Sequence, residues 1–461
     1  MKTRFSWLTV VLTLGALPFG AVSPAWADDA GEIATLREQI RLLDQKLRVL
    51  ERNQQLRDEA ATAAAATTPK ITINDRGDTF ASADGANSIR VRGLVQMDAR
   101  FFGADGGIAN NAFVLRRARL ITEGQFAKNF GFQLLSEFGG SSVSILDANL
   151  TVGINRALQF KFGKFKSPVG YEIIQSDSYI FFNERSIVTN LVPNRDVGIQ
   201  ASGDVFGGTL SYQLGVFNGL ADGGSSTNTD FDNGKELVAR VFATPFRNAK
   251  GSPVQGLSFG ISGSTARAKT AAGRSSGYRT DGQQTFFSYN PAVIADGENW
   301  RVSPQLDYRH GAFGFIGEYA RSTVNVRPTA TGSRTELTNR AWQATAGYVL
   351  TGEDSAFAGV MPRTNFDWSA GTWGALELLV RYSDLRIDDA AFPLFAAAAS
   401  NADEAKGLGL GFNWYLGKSV VFKFNYHQTQ FGLNALAPAV PTALLLRQDE
   451  KAFISRFQVA F

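Results

Sequence analysis

Two stretches of this chain concentrate guanidinium groups at a spacing that matters. Arg90, Arg92 and Arg100 fall on even numbers together with Gln96 and Asp98, and Arg117 and Arg119 fall on odd numbers with Glu123 and Gln125. Residues two apart on an extended chain share a face, so each set points one way. A guanidinium offers a flat pair of donors that suits carboxylate and phosphate oxygens. Rows of such groups along a channel attract anions and repel cations. Two readings stay open at this point. The arginines select anionic solutes, or they pair with Asp98, Glu123 and Asp147 and stiffen the fold. Catalysis is not indicated, because hydrolysis needs an acid–base group beside a nucleophile. The two histidines, His310 and His427, stand in no motif with Ser. With no metal-ligand cluster and no phosphate-cradling Gly loop, no enzyme activity, cofactor or metal site is expected.

The elements that must hold these side chains are strands. From Ile89 to Phe101 every odd residue is apolar or Gly and most even residues are polar, a length that suits a tilted bilayer-crossing strand. The same rhythm recurs over 113–126, 132–140, 143–152, 158–166, 197–205, 209–218, 236–244 and 257–266. It continues over 300–309, 312–323, 340–351, 375–384, 408–414, 420–431 and 451–461. An Arg or Lys facing lipid at the midplane costs roughly 2–4 kcal/mol. Asp147, Asn149 and Thr151, then Gln159 and Lys161, then Glu377, Arg381 and Ser383, then Lys423, Asn425 and His427 therefore face a wet lumen. Leu376, Leu378, Val380 and Tyr382 face lipid. The expected fold is an all-β transmembrane antiparallel barrel of about 16 strands over residues 88–461. Short gaps such as 127–129 alternate with long polar ones such as 221–233, the asymmetry of turns and external loops. The gap at 167–196 is long, aromatic and aperiodic, and is expected to fold into the barrel and narrow its pore.

Residues 1–27 have the form of a secretory signal peptide: Lys2 and Arg4, an apolar run from Leu8 to Leu17, and Ala25-Trp26-Ala27. Residues 28–60 are expected to form a periplasmic coiled-coil helix with the seam Ile33, Leu36, Ile40, Leu43, Leu47 and Leu50. Residues 61–87, rich in Ala and then in Gly, Asp and Ser, read as a linker. The chain has no Cys, 47 Gly and 36 Phe, which suits an outer-membrane barrel of a Gram-negative bacterium that needs turns and aromatic girdles. A net charge of +4, smaller once Lys2 and Arg4 are removed, gives no reason to expect nucleic-acid binding. The closing strand ends on Phe461, an aromatic terminus of the kind that barrel assembly machinery takes as its signal.

The order and spacing of several pieces resemble the phosphate-selective porin O and P family over roughly 88–461. These pieces are Arg92-Gly93-Leu94-Val95-Gln96-Met97-Asp98, Leu115-Arg116-Arg117-Ala118-Arg119, Leu146-Asp147-Ala148 and Phe160-Lys161-Phe162-Gly163-Lys164-Phe165. Further along are Phe182-Asn183-Glu184-Arg185, Arg381-Tyr382-Ser383 and Gly411-Phe412-Asn413-Trp414-Tyr415. The resemblance implies a homotrimeric outer-membrane porin for passive diffusion of small polar or anionic solutes, phosphate or other oxyanions among them. It also implies that Arg116, Arg117, Asp147, Ser176 and Arg185 face the anion; together with Arg119, Lys161 and Lys164 they make up the expected pore-lining, anion-binding set. Two positions depart from the pattern. Ile173 stands where the family's binding Lys falls, and Leu94 where an Arg is expected. A general or sugar-type porin, or a structural outer-membrane protein tethered through its coiled coil, is the alternative.

Overall fold

The computed structural model describes residues 29–75, 77–103, 109–227, 230, 232–269, 277–434, 436 and 449–461. The signal-peptide expectation for 1–27 lies outside them. Sixteen strands form the barrel: Ser88–Phe102 (β1), Ala112–Phe126 (β2), Phe130–Glu137 (β3), Ser144–Asn155 (β4), Leu158–Lys166 (β5) and Arg195–Val205 (β6) come first. Leu210–Phe217 (β7), Glu236–Ala243 (β8), Leu257–Lys269 (β9), Ile294–His310 (β10) and Phe313–Arg327 (β11) follow. Thr335–Val349 (β12), Ala375–Arg386 (β13), Glu404–Tyr415 (β14), Val420–Gly432 (β15) and Asp449–Ala460 (β16) complete it. Each pairs antiparallel with the next, and β16 returns to β1 with Ala460 opposite Leu94 and Ala452 opposite Phe102. Phe461 adds two backbone hydrogen bonds with Gly93, at 2.7 and 3.0 Å. Closure leaves no free sheet edge, which a chain crossing lipid requires.

Alternation orients the wall as the lipid cost predicts. In β13, Glu377, Arg381 and Ser383 are fully buried, while Leu378, Val380 and Tyr382 are exposed on the outer face. Gln96 and Asp98 in β1 and Lys423, Asn425 and His427 in β15 are likewise buried inside.

Four connections fill part of the lumen. The β5–β6 segment, residues 167–194, contains the short 3-10 turns Glu172–Ile174 and Ile187–Leu191. Its apolar residues Val169, Ile173, Ile187, Val188, Leu191 and Val192 join Phe286, Phe287 and Val293 of the β9–β10 loop and Phe392 and Phe395 of the β13–β14 loop in one core. The fourth connection, residues 350–374, lies on the turn side and is not short, unlike its neighbours. There Gln175 Nε2 donates to the Phe357 carbonyl (2.8 Å), and the Phe357 ring meets Tyr171 edge-on at 5.5 Å.

The N-terminal part is a unit of its own, one helix over Asp29–Thr67. It runs past residue 60, into the expected linker, because the stretch 60–67 is mostly alanine, the strongest helix former. It stops before Pro69, since the residue preceding a proline is pushed out of the helical region. The remainder of that linker is partly ordered too. Lys70–Thr72 pairs with Asp78–Ala81, which pairs with the start of β1. The seam residues from Ile33 to Leu50 are all exposed on this helix. No described helix is long and apolar enough to cross a membrane.

Candidate functional site

Strict alternation would send Arg116 outward if Arg117 points in. A register shift resolves the conflict: Gln96 pairs with Arg117 but Met97 pairs with Leu115, so Arg116 is the extra residue of a β-bulge. Bulges re-aim side chains in this way. Both arginines thereby reach one carboxylate, that of Glu184 on the infolded segment. Arg116 Nε and Nη2 lie 2.6 and 2.9 Å from its oxygens, and Arg117 Nη2 lies at 3.4 Å. Arg456 of β16 adds a third guanidinium at 2.8 Å. Beside them Asp177 receives Arg119, Arg117 at 3.1 Å and Arg185 at 2.5 Å. Arg119 also meets Glu137 (2.6 Å), and Asp147 receives Arg195 Nε at 2.9 Å.

Side chains from four adjacent strands hold the infolded segment in place. Lys423 Nζ donates to the Ile180 carbonyl (2.5 Å), and Asn413 Nδ2 to that of Phe181 (2.9 Å). Arg381 Nη1 donates to the Glu184 carbonyl (3.0 Å), and Arg456 donates to that of Asn183. The Phe182 ring lies flat under Arg381, 4.4 Å from its guanidinium carbon. It fits because the wall beneath is Gly409 and Gly411. A Cβ at either would stand 3.1 Å from the ring, tight enough to displace it.

The space in front of this cluster measures about 350 Å³. Six guanidinium side chains line it (Arg116, Arg117, Arg119, Arg185, Arg195 and Arg279), against three carboxylates (Glu137, Asp177 and Glu184). Nearly all the arginines are paired, as the stiffening reading requires. Their number still exceeds the carboxylates by three, as anion attraction requires. The two readings of the sequence are therefore not exclusive.

Of the predicted residues, Arg116, Arg117, Arg119 and Arg185 gather at this space, and Asp147 sits behind Arg195. Three do not gather there. Lys161 belongs to a second space, of about 510 Å³ on the turn side, shared with Arg90, Glu123 and Asn149. Lys164 stands opposite Ala148, out of the inward alternation, and its Nζ donates to the Ile145 carbonyl (2.9 Å). Ser176 is exposed, and its hydroxyl accepts from the Ser178 amide at 3.4 Å. Ile173 and Leu94, the two departures from the family pattern, are buried apolar groups. Sequence reasoning missed Asp177, Glu137, Glu184, Arg195 and Arg279 as site members. Glu137 is the last residue of β3 and Arg195 the first of β6, and Asp177 and Glu184 lie in an aperiodic stretch.

Asp177 and Glu184 lie on the connection between strands, so their protonation can be read. Burial alone would push both carboxyls up. The surrounding arginines prevail: Arg117, Arg185 and Arg119 hold Asp177, and Arg116, Arg117 and Arg456 hold Glu184, well below the usual carboxylate range. A depressed folded value stabilises above the unfolded value, about 4, and that gain is lost as pH falls through the folded value. The contribution of these two carboxylates to ion selectivity is therefore expected to be the same at pH 7 and pH 5. A shift in reversal potential across that interval would count against the assignment.

The family model of the phosphate-selective porins O and P matches residues 89–461. The chain belongs to that family. It is a porin of the outer membrane, as the resemblance implies. An uncharacterized protein of Caulobacter vibrioides is 24% identical over 401 residues, 78% of this chain and 77% of that one. Among solved structures, the porin's fold is similar to the outer membrane channel DcaP of Acinetobacter baumannii (TM-score 0.53, 13% identity, 82% of this chain and 98% of that one). It is also similar to an anion-selective porin from Comamonas acidovorans (0.51, 12%, 81% and 100%) and to a trimer form of OmpT of Vibrio cholerae (0.50, 11%, 82% and 100%).

Proposed function

We propose that this porin passes small anions by diffusion along the arginine-rich side of its lumen, past Arg116, Arg117, Arg119, Arg185, Arg195 and Arg279. The observation that carries this is the excess of three guanidiniums over carboxylates around the constricted space. Oxyanions, phosphate included, and small carboxylates match the paired donors of those forks. Ile173 and Leu94 supply no cation at the two departing positions, which favours a broad anion preference over strict phosphate specificity.

The test is a reversal potential in planar bilayers under a salt gradient. Anion preference is expected at 0.1 M salt and should weaken markedly at 1 M, as the screening length falls from about 10 to about 3 Å. Cation preference at low salt would end this reading.

The barrel is proposed to work as a homotrimer in contact with outer-membrane lipid, assembled through its Phe461 strand. The helix Asp29–Thr67 is proposed to self-associate on the periplasmic side through Ile33, Leu36, Ile40, Leu43, Leu47 and Leu50. That seam is an apolar stripe with charged flanks, the pattern of a coiled coil.

A further inference from the structure

The outer face of the barrel carries charge at a level where the wall turns from apolar to polar. Arg321 pairs directly with Arg340 across β11 and β12, and Arg340 pairs directly with Arg386 across β12 and β13. All three point outward, since their neighbours Ala320, Ser322, Ala341 and Leu385 are buried inside. Three guanidiniums thus stand in one row across adjacent strands. Like charges directly opposite one another destabilise a sheet, so the row calls for an anion.

The protein supplies little of it. Arg386 has Glu404 at 2.7 Å and Asp384 at 3.7 Å, and Glu404 is shared with Lys406 at 2.6 Å. The Arg340 side chain has no ion pair or hydrogen bond among the described residues. The Arg321 Nε is buried without a hydrogen-bond partner there, and its guanidinium is held over the Trp300 ring at 4.6 Å.

The level of this row fixes what meets it. One step toward the turn side lie Tyr319 and Trp342, opposite each other, with Trp342 exposed and in contact with Tyr382 at 5.4 Å between centroids. Further down the outer face is apolar: Val380, Leu378, Leu408, Leu410 and Tyr348 are exposed. Aromatic belts mark the two water interfaces of a membrane-crossing barrel, and the longer loops lie outside. The arginine row is therefore just beyond the outer belt, at headgroup depth.

We infer that Arg321, Arg340 and Arg386 form a binding site for the phosphate of an outer-leaflet glycolipid of the lipid A type. One phosphate set between Arg321 and Arg340 would meet both forks and relieve their mutual repulsion, while the acyl chains lie on the belt beneath. Stacking on Trp300 pre-orders one side of the site.

The test uses the full-length protein purified in detergent, with bound lipid read by native mass spectrometry. The probes are bisphosphorylated lipid A, its dephosphorylated form and inorganic phosphate. The variant Arg321→Gln/Arg340→Gln/Arg386→Gln is expected to retain bisphosphorylated lipid A on the order of tenfold less well, because charge-assisted fork contacts are lost. Its single-channel conductance should be unchanged, as the row faces away from the lumen. Equal retention by the variant, or equal retention of the dephosphorylated lipid by the parent, overturns the proposal. Displacement by millimolar inorganic phosphate overturns it in favour of a free-anion site. Efficient cross-linking of an Arg340→Cys variant to a second copy overturns it in favour of a subunit contact. Should the triple variant fail to assemble, Arg340→Gln alone, which has no ion pair to lose, is read in the same way with a smaller drop.

Discussion

Replacing Glu184 with Gln is expected to cost this porin roughly 3–5 kcal/mol of stability, the range for breaking a buried charge cluster by removing one member. The carboxylate is nearly inaccessible and holds Arg116, Arg117 and Arg456, with Arg100 at 3.7 Å. Gln is close in shape but uncharged, so three or four guanidiniums would be left to repel one another. The loss should appear as a lower temperature for the shift from folded to unfolded mobility in detergent gels. Added sulfate or phosphate should then raise that temperature more in Glu184→Gln than in the parent, because an oxyanion beside the forks restores the negative charge that was removed and binding to the folded form stabilises it. An unchanged transition temperature would mean that the cluster is weakly coupled to folding. A loss without anion rescue would mean that the forks are closed to solutes.

How much of this site could be read in the sequence depends on what kind of order set each residue. Period-two order is carried by the residues themselves, because a polar group on the lipid face is penalised wherever it occurs. That is why the inward set Gln96, Asp98, Arg117, Glu377, Arg381 and Lys423 was legible, and with it the barrel of sixteen strands. Arg116 was legible only through the family resemblance. Alternation assigns it to lipid, and the bulge that turns it inward leaves no mark that one chain can show. Lys164 fails for the opposite reason, since it stands outside the inward alternation despite its place in the family-like segment Phe160–Phe165. Asp177 and Glu184 are fixed by contacts with strands far away in the chain, Arg117 and Arg456 among them. No local period records such contacts. The long turn-side connection at 350–374 was hidden for the same reason: its role follows from Phe357 meeting Tyr171 and Gln175 across the lumen.

The charge excess, rather than any single binding residue, is what the proposed selectivity rests on, and it can be removed with little damage to the cluster. Arg279 is exposed on the inserted β9–β10 loop, where its carbonyl accepts from Asn190 Nδ2 (2.8 Å) and its amide donates to Asn190 Oδ1 (3.0 Å). Its side chain has no ion pair among the described residues. Arg116 is the most exposed of the arginines on Glu184, with 29% of its side chain accessible, and Glu184 retains Arg117 and Arg456 without it. Changing Arg279 to Glu removes two positive units and Arg116 to Gln a third, so the excess of three at the constriction becomes zero. Anion preference in the double variant is expected to collapse to near parity at 0.1 M salt, where charges act over about 10 Å. Conductance itself should persist, because the lumen keeps its shape and its water. If the double variant keeps the parent's reversal potential, selectivity is set elsewhere in the lumen. The turn-side space lined by Arg90, Lys128 and Lys161 with Glu123 would then be the next place to reverse a charge, since it too holds more cations than carboxylates.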